Sequence, residues 1–172
     1  MLFRSAEVPS ADEYVRALVG EVRRTSLPIV LEPGRAVAAP AGALVARVID
    51  VKARTASSDF AIIDAGMTEL IRPALYNAFH RIEPVSGPAA GDHHYEIVGP
   101  VCESSDVVGR DRRLPTLAAG DLVAIRDAGA YGSVMASNYN RRPLPAEVLV
   151  DAGTWRVIRR RQTVEDQLAL EE

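Results

Sequence analysis

The stretch LVARVIDVKAR, Leu44–Arg54, decides the fold. Its residues alternate and are rich in β-branched side chains, the pattern of a strand with one face in the core and the other in water. Working outward, the same texture recurs in short runs. Strands are predicted at Phe60–Asp64, Tyr95–Val101, Leu122–Asp127, Glu147–Asp151 and Thr154–Arg159, separated by loops rich in Gly, Pro and Asp. Several short strands without long helices predict a β-barrel or sandwich. Thr163 is placed to cap a last helix, Val164–Leu170.

Before Leu44 the texture differs. Ser10 with Glu13 three residues on forms a capping box, and Tyr14, Leu18, Val19 and Val22 recur at helical spacing, which predicts a helix over Ala11–Arg24. Pro28–Leu31 (PIVL) reads as a short buried strand that ends in the loop EPGR. Helix followed by strand is the repeating unit of a parallel α/β barrel. One such unit cannot bury its own faces. The expectation is therefore a mainly β chain, a β-barrel or sandwich preceded by the last helix–strand unit of a truncated barrel. MLFRS at the start has no structural role in this scheme.

The chain has 172 residues, of which 48% are apolar and 25% charged, enough for a sizeable core. A net charge of −3 defines neither a nucleic-acid nor a membrane binder. No apolar run reaches membrane length and no signal peptide is evident. One cysteine forms no internal disulfide, so a cytoplasmic protein is expected. Of 20 basic residues 19 are arginine, which grips carboxylates and phosphates bidentately; the one lysine is Lys52.

Four stretches carry residues suited to chemistry. EPGR, Glu32–Arg35, stands at the carboxyl end of a predicted strand, where α/β folds place their ligands. Gly34 allows close approach of a phosphate, Arg35 can grip a carboxylate and Glu32 can pair with a protonated ring nitrogen. A Pro-Gly turn with an incidental ion pair fits the same four residues. In MTELIRPALYNAFHRI, Arg72 and Tyr76 stand four apart and share one side of a helix, a guanidinium and a phenol for an anion, or else a surface turn with an aromatic lid. In AGAYGSVMASNYNRRP, small residues flank Tyr131 and free its ring to reach a ligand, or else the triplet is a tight turn with a partly buried tyrosine, the commoner case for such a triplet; Tyr139 reads as structural. In GPVCESSDVVGRDRRLP the lone Cys102 is a nucleophile, a proton donor or a packed small side chain. A carboxylate next to a thiol disfavours the thiolate, so Glu103 tilts the functional reading towards protonation. His93 and His94 lack partners at ligand spacing, so no metal site is expected. His80 reads as structural, and Arg110–Arg113 as a solvated loop of alternating charge.

In this order, EPGR, DAGM with RPALYNAFH, GPVCESSDVVGRDRRLP and GDLVAIRDAGAYGSVMASNYNRRP resemble the C-terminal part of the diaminopimelate decarboxylases, pyridoxal-phosphate enzymes of lysine biosynthesis. The likeness runs from Ser10 onward. It implies a (β/α)8 barrel followed by a β-domain, with residues 1–40 a remnant of the barrel and 41–172 the β-domain, partly returning to the barrel. It implies that Glu32 binds the cofactor's pyridine nitrogen, that Pro33, Gly34 and Arg35 hold its phosphate, and that Tyr131 contacts cofactor and substrate. Arg35 also takes a substrate carboxylate, and Arg72 and Tyr76 hold the substrate's far end. Family members are dimers with shared sites, so Cys102 would donate a proton in the partner subunit's site and Glu103 would contact the distal amine there. The substrate is a small amino acid.

The resemblance also implies a Schiff-base lysine and a stacking histidine in a barrel portion that this chain lacks. Lys52 sits in a predicted strand, in the wrong context, so the chain alone is expected to be inactive. Competing readings are an ornithine- or arginine-type decarboxylase fragment and a non-catalytic β-domain that dimerises or binds a small acid. An oligonucleotide-binding barrel is disfavoured because only 5% of residues are aromatic.

Overall fold

The computed structural model describes residues 9–25, 27–55, 58–87, 91–169 and 171. A sheet of six strands forms its centre: β1 (Leu44–Thr55), β2 (Ser58–Ile63), β3 (Ile82–Pro84), β4 (His93–Val98), β5 (Val107–Leu114) and β6 (Leu122–Ile125). Their spatial order is β3-β6-β1-β2-β4-β5. Neighbours run antiparallel except β2 and β4, which are parallel. The outer strands β3 and β5 also contact each other, so the sheet is nearly closed and barrel-like. The fold is mainly β, as the alternation in Leu44–Arg54 predicts.

Alternation in β1 does the work. Ala46 and Val48 are buried, while Val45, Arg47 and Ile49 between and beside them are exposed. Val48 lies opposite Ile63 of β2, and Leu44 opposite Ile125 of β6. Val48, Ile63, Leu70, Ile97, Leu114, Val123 and Ile125 make one core, each such side chain contributing about 1.5–3 kcal/mol on leaving water. Tyr95 is buried among them, and its hydroxyl oxygen accepts the Leu117 N–H at 2.9 Å, so its polar end is satisfied.

Two strands depart from the sequence reading. The charged run Arg110–Arg113 is not a loop but the middle of β5. Val108, Gly109 and Leu114 face inward while Arg110, Asp111 and Arg113 are exposed. Asp111 has φ 49°, and the register with β4 shifts between Tyr95 and Ile97, so a bulge breaks the period of two. β3 has three residues and ends in a proline, too short for a pattern. A third departure concerns Pro28–Leu31, which forms no strand among the described residues. It is exposed, and among the described residues no strand pairs with it.

Helix α1 (Ala11–Val22) carries the expected capping box: Ser10 Oγ accepts the Glu13 N–H at 3.3 Å and Glu13 Oε2 accepts the Ser10 N–H at 2.7 Å. Its apolar stripe is unpacked; no α1 residue is buried. Helix α2 (Arg72–Tyr76) is short and stops at Asn77, whose φ is 51°. β7 (Glu147–Asp151) and β8 (Thr154–Arg159) form a separate hairpin with the predicted bounds. Thr163 caps α3 (Val164–Leu168). MLFRS and Leu170 lie outside the described residues. No helix among the described residues is long and apolar enough to cross a membrane.

Candidate active site

The segment 38–42 that follows EPGR and the AGAYG loop are pressed together by two glycines. A Cβ on Gly42 would stand 2.6 Å from Gly129 Cα, and one on Gly129 would stand 2.1 Å from the Ala38 oxygen. No side chain fits in that gap, so the backbones close directly: Ala128 N–H donates to Gly42 O at 2.9 Å and Gly129 N–H to Ala39 O at 3.1 Å. The closure brings Arg35 onto the second loop, where its Nη2 donates to Asp127 O at 2.7 Å. Asp127 and Tyr131 hold φ of 59° and 60°, a backbone region that costs non-glycine residues energy and clusters at functional sites.

Arg72 completes this group. Its guanidinium carbon lies 5.6 Å from the Tyr76 ring centre and 5.9 Å from that of Tyr131. Helix α2 supplies Arg72 and Tyr76 at the four-residue spacing of one helical face. Burial and the Arg72 charge push Arg35 below an arginine's ordinary value, against the pull of Asp127. His80 is fully buried nearby, with Nδ1 2.9 Å from Arg126 O. Burial pushes its pKa down, and Arg35 and Arg72 push the same way. The carbonyl partner requires Nδ1 to carry the proton, which leaves Nε2 bare. Among the described residues, Arg35 Nε, Arg72 Nε and His80 Nε2 are buried and find no hydrogen-bond partner. Two arginines with unspent donors and two phenols suit a bound anion. Glu32, Pro33 and Gly34 are exposed on the same loop, and Gly34 has φ 56°.

Cys102 and Glu103 stand in a second group. The loop GPVCESSD folds around Asp106, which is 3% exposed. Its carboxylate accepts the Met67 N–H at 2.6 Å and the Val101 N–H at 2.8 Å. A Cβ on Gly66 would stand 2.4 Å from Asp106 Oδ1, and one on Gly99 2.2 Å from Oδ2, so these glycines make room for the carboxylate. Burial raises the Asp106 pKa, the two N–H donors and Arg142 oppose it, and Glu69 adds to it. Cys102 is exposed, which removes the reading of a packed small side chain.

Arg142 ties three motifs together. Its Nη2 donates to Asp64 O at 2.6 Å and to Glu69 Oε1 at 3.1 Å, and its Nε to Thr68 Oγ1 at 3.0 Å. Glu69, 7% exposed, also accepts the Gly66 N–H at 2.7 Å. The chain 137–142 is thereby fixed over the CESSD loop. Tyr139 donates its hydroxyl proton to Glu103 Oε1, a contact that raises the phenol's pKa. Asn140 Nδ2 lies 3.7 Å from Cys102 Sγ.

The structure therefore brings Arg35, Arg72, Tyr76 and Tyr131 together, while the contacts of Cys102 and Glu103 run to Asn140 and Tyr139 instead. Sequence reasoning missed Asp106, Glu69, Asn140 and Arg142, and took Tyr139 as structural. A cavity of about 590 Å³ lies between α2 and β5, lined by Ala74, Phe79, Val108 and Arg112 among others; none of the predicted site residues lines it. Lys52 is on β1, its side chain 65% exposed and 3.6 Å from Asp50.

Residues 18–129 match the family described as pyridoxal-dependent decarboxylase, C-terminal sheet domain. The chain belongs to this family of decarboxylase sheet domains. Among relatives of this domain, the diaminopimelate decarboxylase of Pseudomonas aeruginosa is 47% identical over 167 residues, 97% of this chain and 40% of its own length. The crystal structure of the Helicobacter pylori diaminopimelate decarboxylase complexed with L-lysine superposes with a TM-score of 0.82 at 38% identity, over 98% of this chain and 41% of that one. The lysine/ornithine decarboxylase of Vibrio vulnificus complexed with cadaverine gives 0.60 at 28%, over 74% of this chain and 36% of that one. The decarboxylase sheet domain thus spans about 40% of the length of the diaminopimelate decarboxylases it matches.

Proposed function

We propose that this chain is the sheet-domain portion of a diaminopimelate decarboxylase, which converts meso-2,6-diaminopimelate to L-lysine and carbon dioxide. The observation that carries this reading is the Arg35–Arg72–Tyr76–Tyr131 group, with its unspent buried donors, in a chain 47% identical to such an enzyme. The substrate bears a carboxylate and an amine at each end. Arg72 and Tyr76 take the distal carboxylate, and Glu103 takes the distal amine. A site that pairs every charge rejects ornithine-like substrates, which would leave the buried Nε of the half-buried Arg72 without an anion.

The residues present fit pyridoxal phosphate. A Cβ on Gly34 would meet nothing within 4 Å, so the loop backbone is open to a phosphate, and Arg35 Nε is free to donate to it. Glu32 and Pro33 flank that position; Glu32 pairs with the ring nitrogen, and Tyr131 lies against ring and substrate. When bound, the cofactor supplies an acceptor for the electron pair left by loss of carbon dioxide. Cys102, as general acid, returns a proton to the α-carbon. Cys102 and Glu103 meet Asn140 and Tyr139 rather than the Arg35–Arg72 group, which supports a homodimer in which they complete the partner subunit's site.

Residues 1–40 are the barrel-derived portion and 41–172 the β-domain in this scheme, in a cytoplasmic enzyme. Lys52 points its amine to solvent beside Asp50 and makes no Schiff base, so the chain alone is inactive. The test is a graft. This chain replaces the matching portion of the Pseudomonas aeruginosa relative, and carbon dioxide release is measured. Turnover of diaminopimelate and none of ornithine is expected. Turnover of ornithine alone, or of neither by a folded graft, would overturn the proposal.

A further inference from the structure

The segment SNYNRRP, Ser137–Pro143, has no part in the chemistry above, yet it is held in place more firmly than a connecting loop needs. Ser137 N–H donates to Thr68 O at 2.9 Å, and Arg142 grips Asp64, Thr68 and Glu69. Asn138 Nδ2 donates to Arg142 O at 2.7 Å, and Arg141 N–H to Asn138 O at 2.8 Å. Between these anchors Asn140 and Arg141 both hold left-handed backbone, φ 53° and 58°. Two successive residues in that region persist only where the surroundings over-determine them. The result is that two neighbouring side chains meet two neighbouring side chains: Tyr139 meets Glu103, and Asn140 meets Cys102.

We propose that Tyr139 and Asn140 are positioning residues for the Cys102–Glu103 pair, with Tyr139 fixing the Glu103 carboxylate and Asn140 turning an amide N–H onto the Cys102 sulfur. This rests on the proton-donor role proposed for Cys102. In the protonation step the S–H bond breaks, its proton forms the new C–H bond with the electron pair at the substrate's α-carbon, and the sulfur keeps the S–H pair. An N–H aimed at sulfur orients the S–H bond away from Asn140 and stabilises the thiolate left behind. A phenol on Glu103 draws the carboxylate's charge away from that thiolate and leaves its second oxygen for the substrate amine.

Cys102 is the single cysteine of the chain, so alkylation by iodoacetamide reads this sulfur alone. The rate is followed by mass spectrometry across pH 6–10 in the wild-type chain, in Asn140→Gly, which keeps the left-handed backbone and removes the amide, and in Tyr139→Phe, which removes one exposed hydroxyl. Both variants are expected to move the rate profile to higher pH and to slow alkylation at pH 7 roughly threefold, the loss of one hydrogen bond of modest net strength. Profiles that stay in place, or move to lower pH because a carbonyl rather than an N–H faces the sulfur, overturn the proposal. Circular dichroism confirms that each variant is folded, and Tyr139→Phe decides the matter if Asn140→Gly is not. The measurement needs no turnover, so its failure is separate from failure of the graft to decarboxylate diaminopimelate.

Discussion

Replacing Asp106 by alanine removes the pin of the CESSD loop. Two backbone N–H groups, those of Met67 and Val101, lose their acceptor at a position 3% exposed, where water does not substitute freely. Each such loss costs about 1–3 kcal/mol. Part is recovered, because burial already disfavours the ionised carboxylate. The net expectation for Asp106→Ala is a loss of about 2–4 kcal/mol by urea denaturation, or a fall in Tm of roughly 5–12 °C for a domain of this size. A double-mutant cycle with Gly66→Ala sharpens the test. The new Cβ would stand 2.4 Å from Asp106 Oδ1, so Gly66→Ala destabilises the wild type but costs little once Asp106 is gone. A coupling of at least about 1 kcal/mol is expected. An Asp106→Ala variant within about 0.5 kcal/mol of wild type, or additive effects of the two substitutions, would refute the reasoning.

Arg142→Ala leaves Glu69 buried without its cation and is expected to cost about 3 kcal/mol, and Arg142→Lys, with no fork to reach Asp64, Thr68 and Glu69 together, does not restore it; urea denaturation of both variants checks this. His80 is held neutral, its pKa lowered by burial, so the unfolded chain takes up a proton below about pH 6.5 that the folded chain does not. Stability is present above that pH and lost as pH falls, and His80→Gln flattens the fall between pH 7 and 5.5 in the same assay. Ala152 turns the β7–β8 hairpin at φ 44° before Gly153 at 79°, so Ala152→Asn, which tolerates that backbone, is expected to stabilise the chain by about 0.5–1 kcal/mol, read as a rise in Tm.

The sequence shows those parts of the fold whose cause is local. β1 announces itself by alternation, β7 and β8 by short runs of β-branched and aromatic residues, and the Ser10 and Thr163 caps by spacing. β5 hides because its outward residues are nearly all charged and a bulge at Asp111 breaks the period. Pro28–Leu31 has the composition of a strand but no partner, and hydrogen bonding to a neighbour is what makes a strand. The same division holds at the site. Arg72 and Tyr76 are legible as a pair four apart on one short helix. The joining of Arg35 to Asp127 across 92 positions, and of Arg142 to Glu69 across 73, depends on loop closures that no local pattern encodes. Asp106 stood in plain view in CESSD, but of the two glycines that make room for its carboxylate only Gly99 lies in the same motif; Gly66 lies in DAGM, and only the folded chain brings it there.

The most direct measurement of the central claim uses two inactive grafts, one carrying Cys102→Ala and one Arg72→Ala. If Cys102 of one subunit serves the site that holds Arg72 of the other, a hybrid dimer regains one intact site. Equal mixing and subunit exchange then restore about a quarter of the wild-type carbon dioxide release, since half of the dimers are hybrids with one working site of two. Activity no higher than that of the separate variants, in a mixture shown to have exchanged subunits, would contradict a shared site built from this domain.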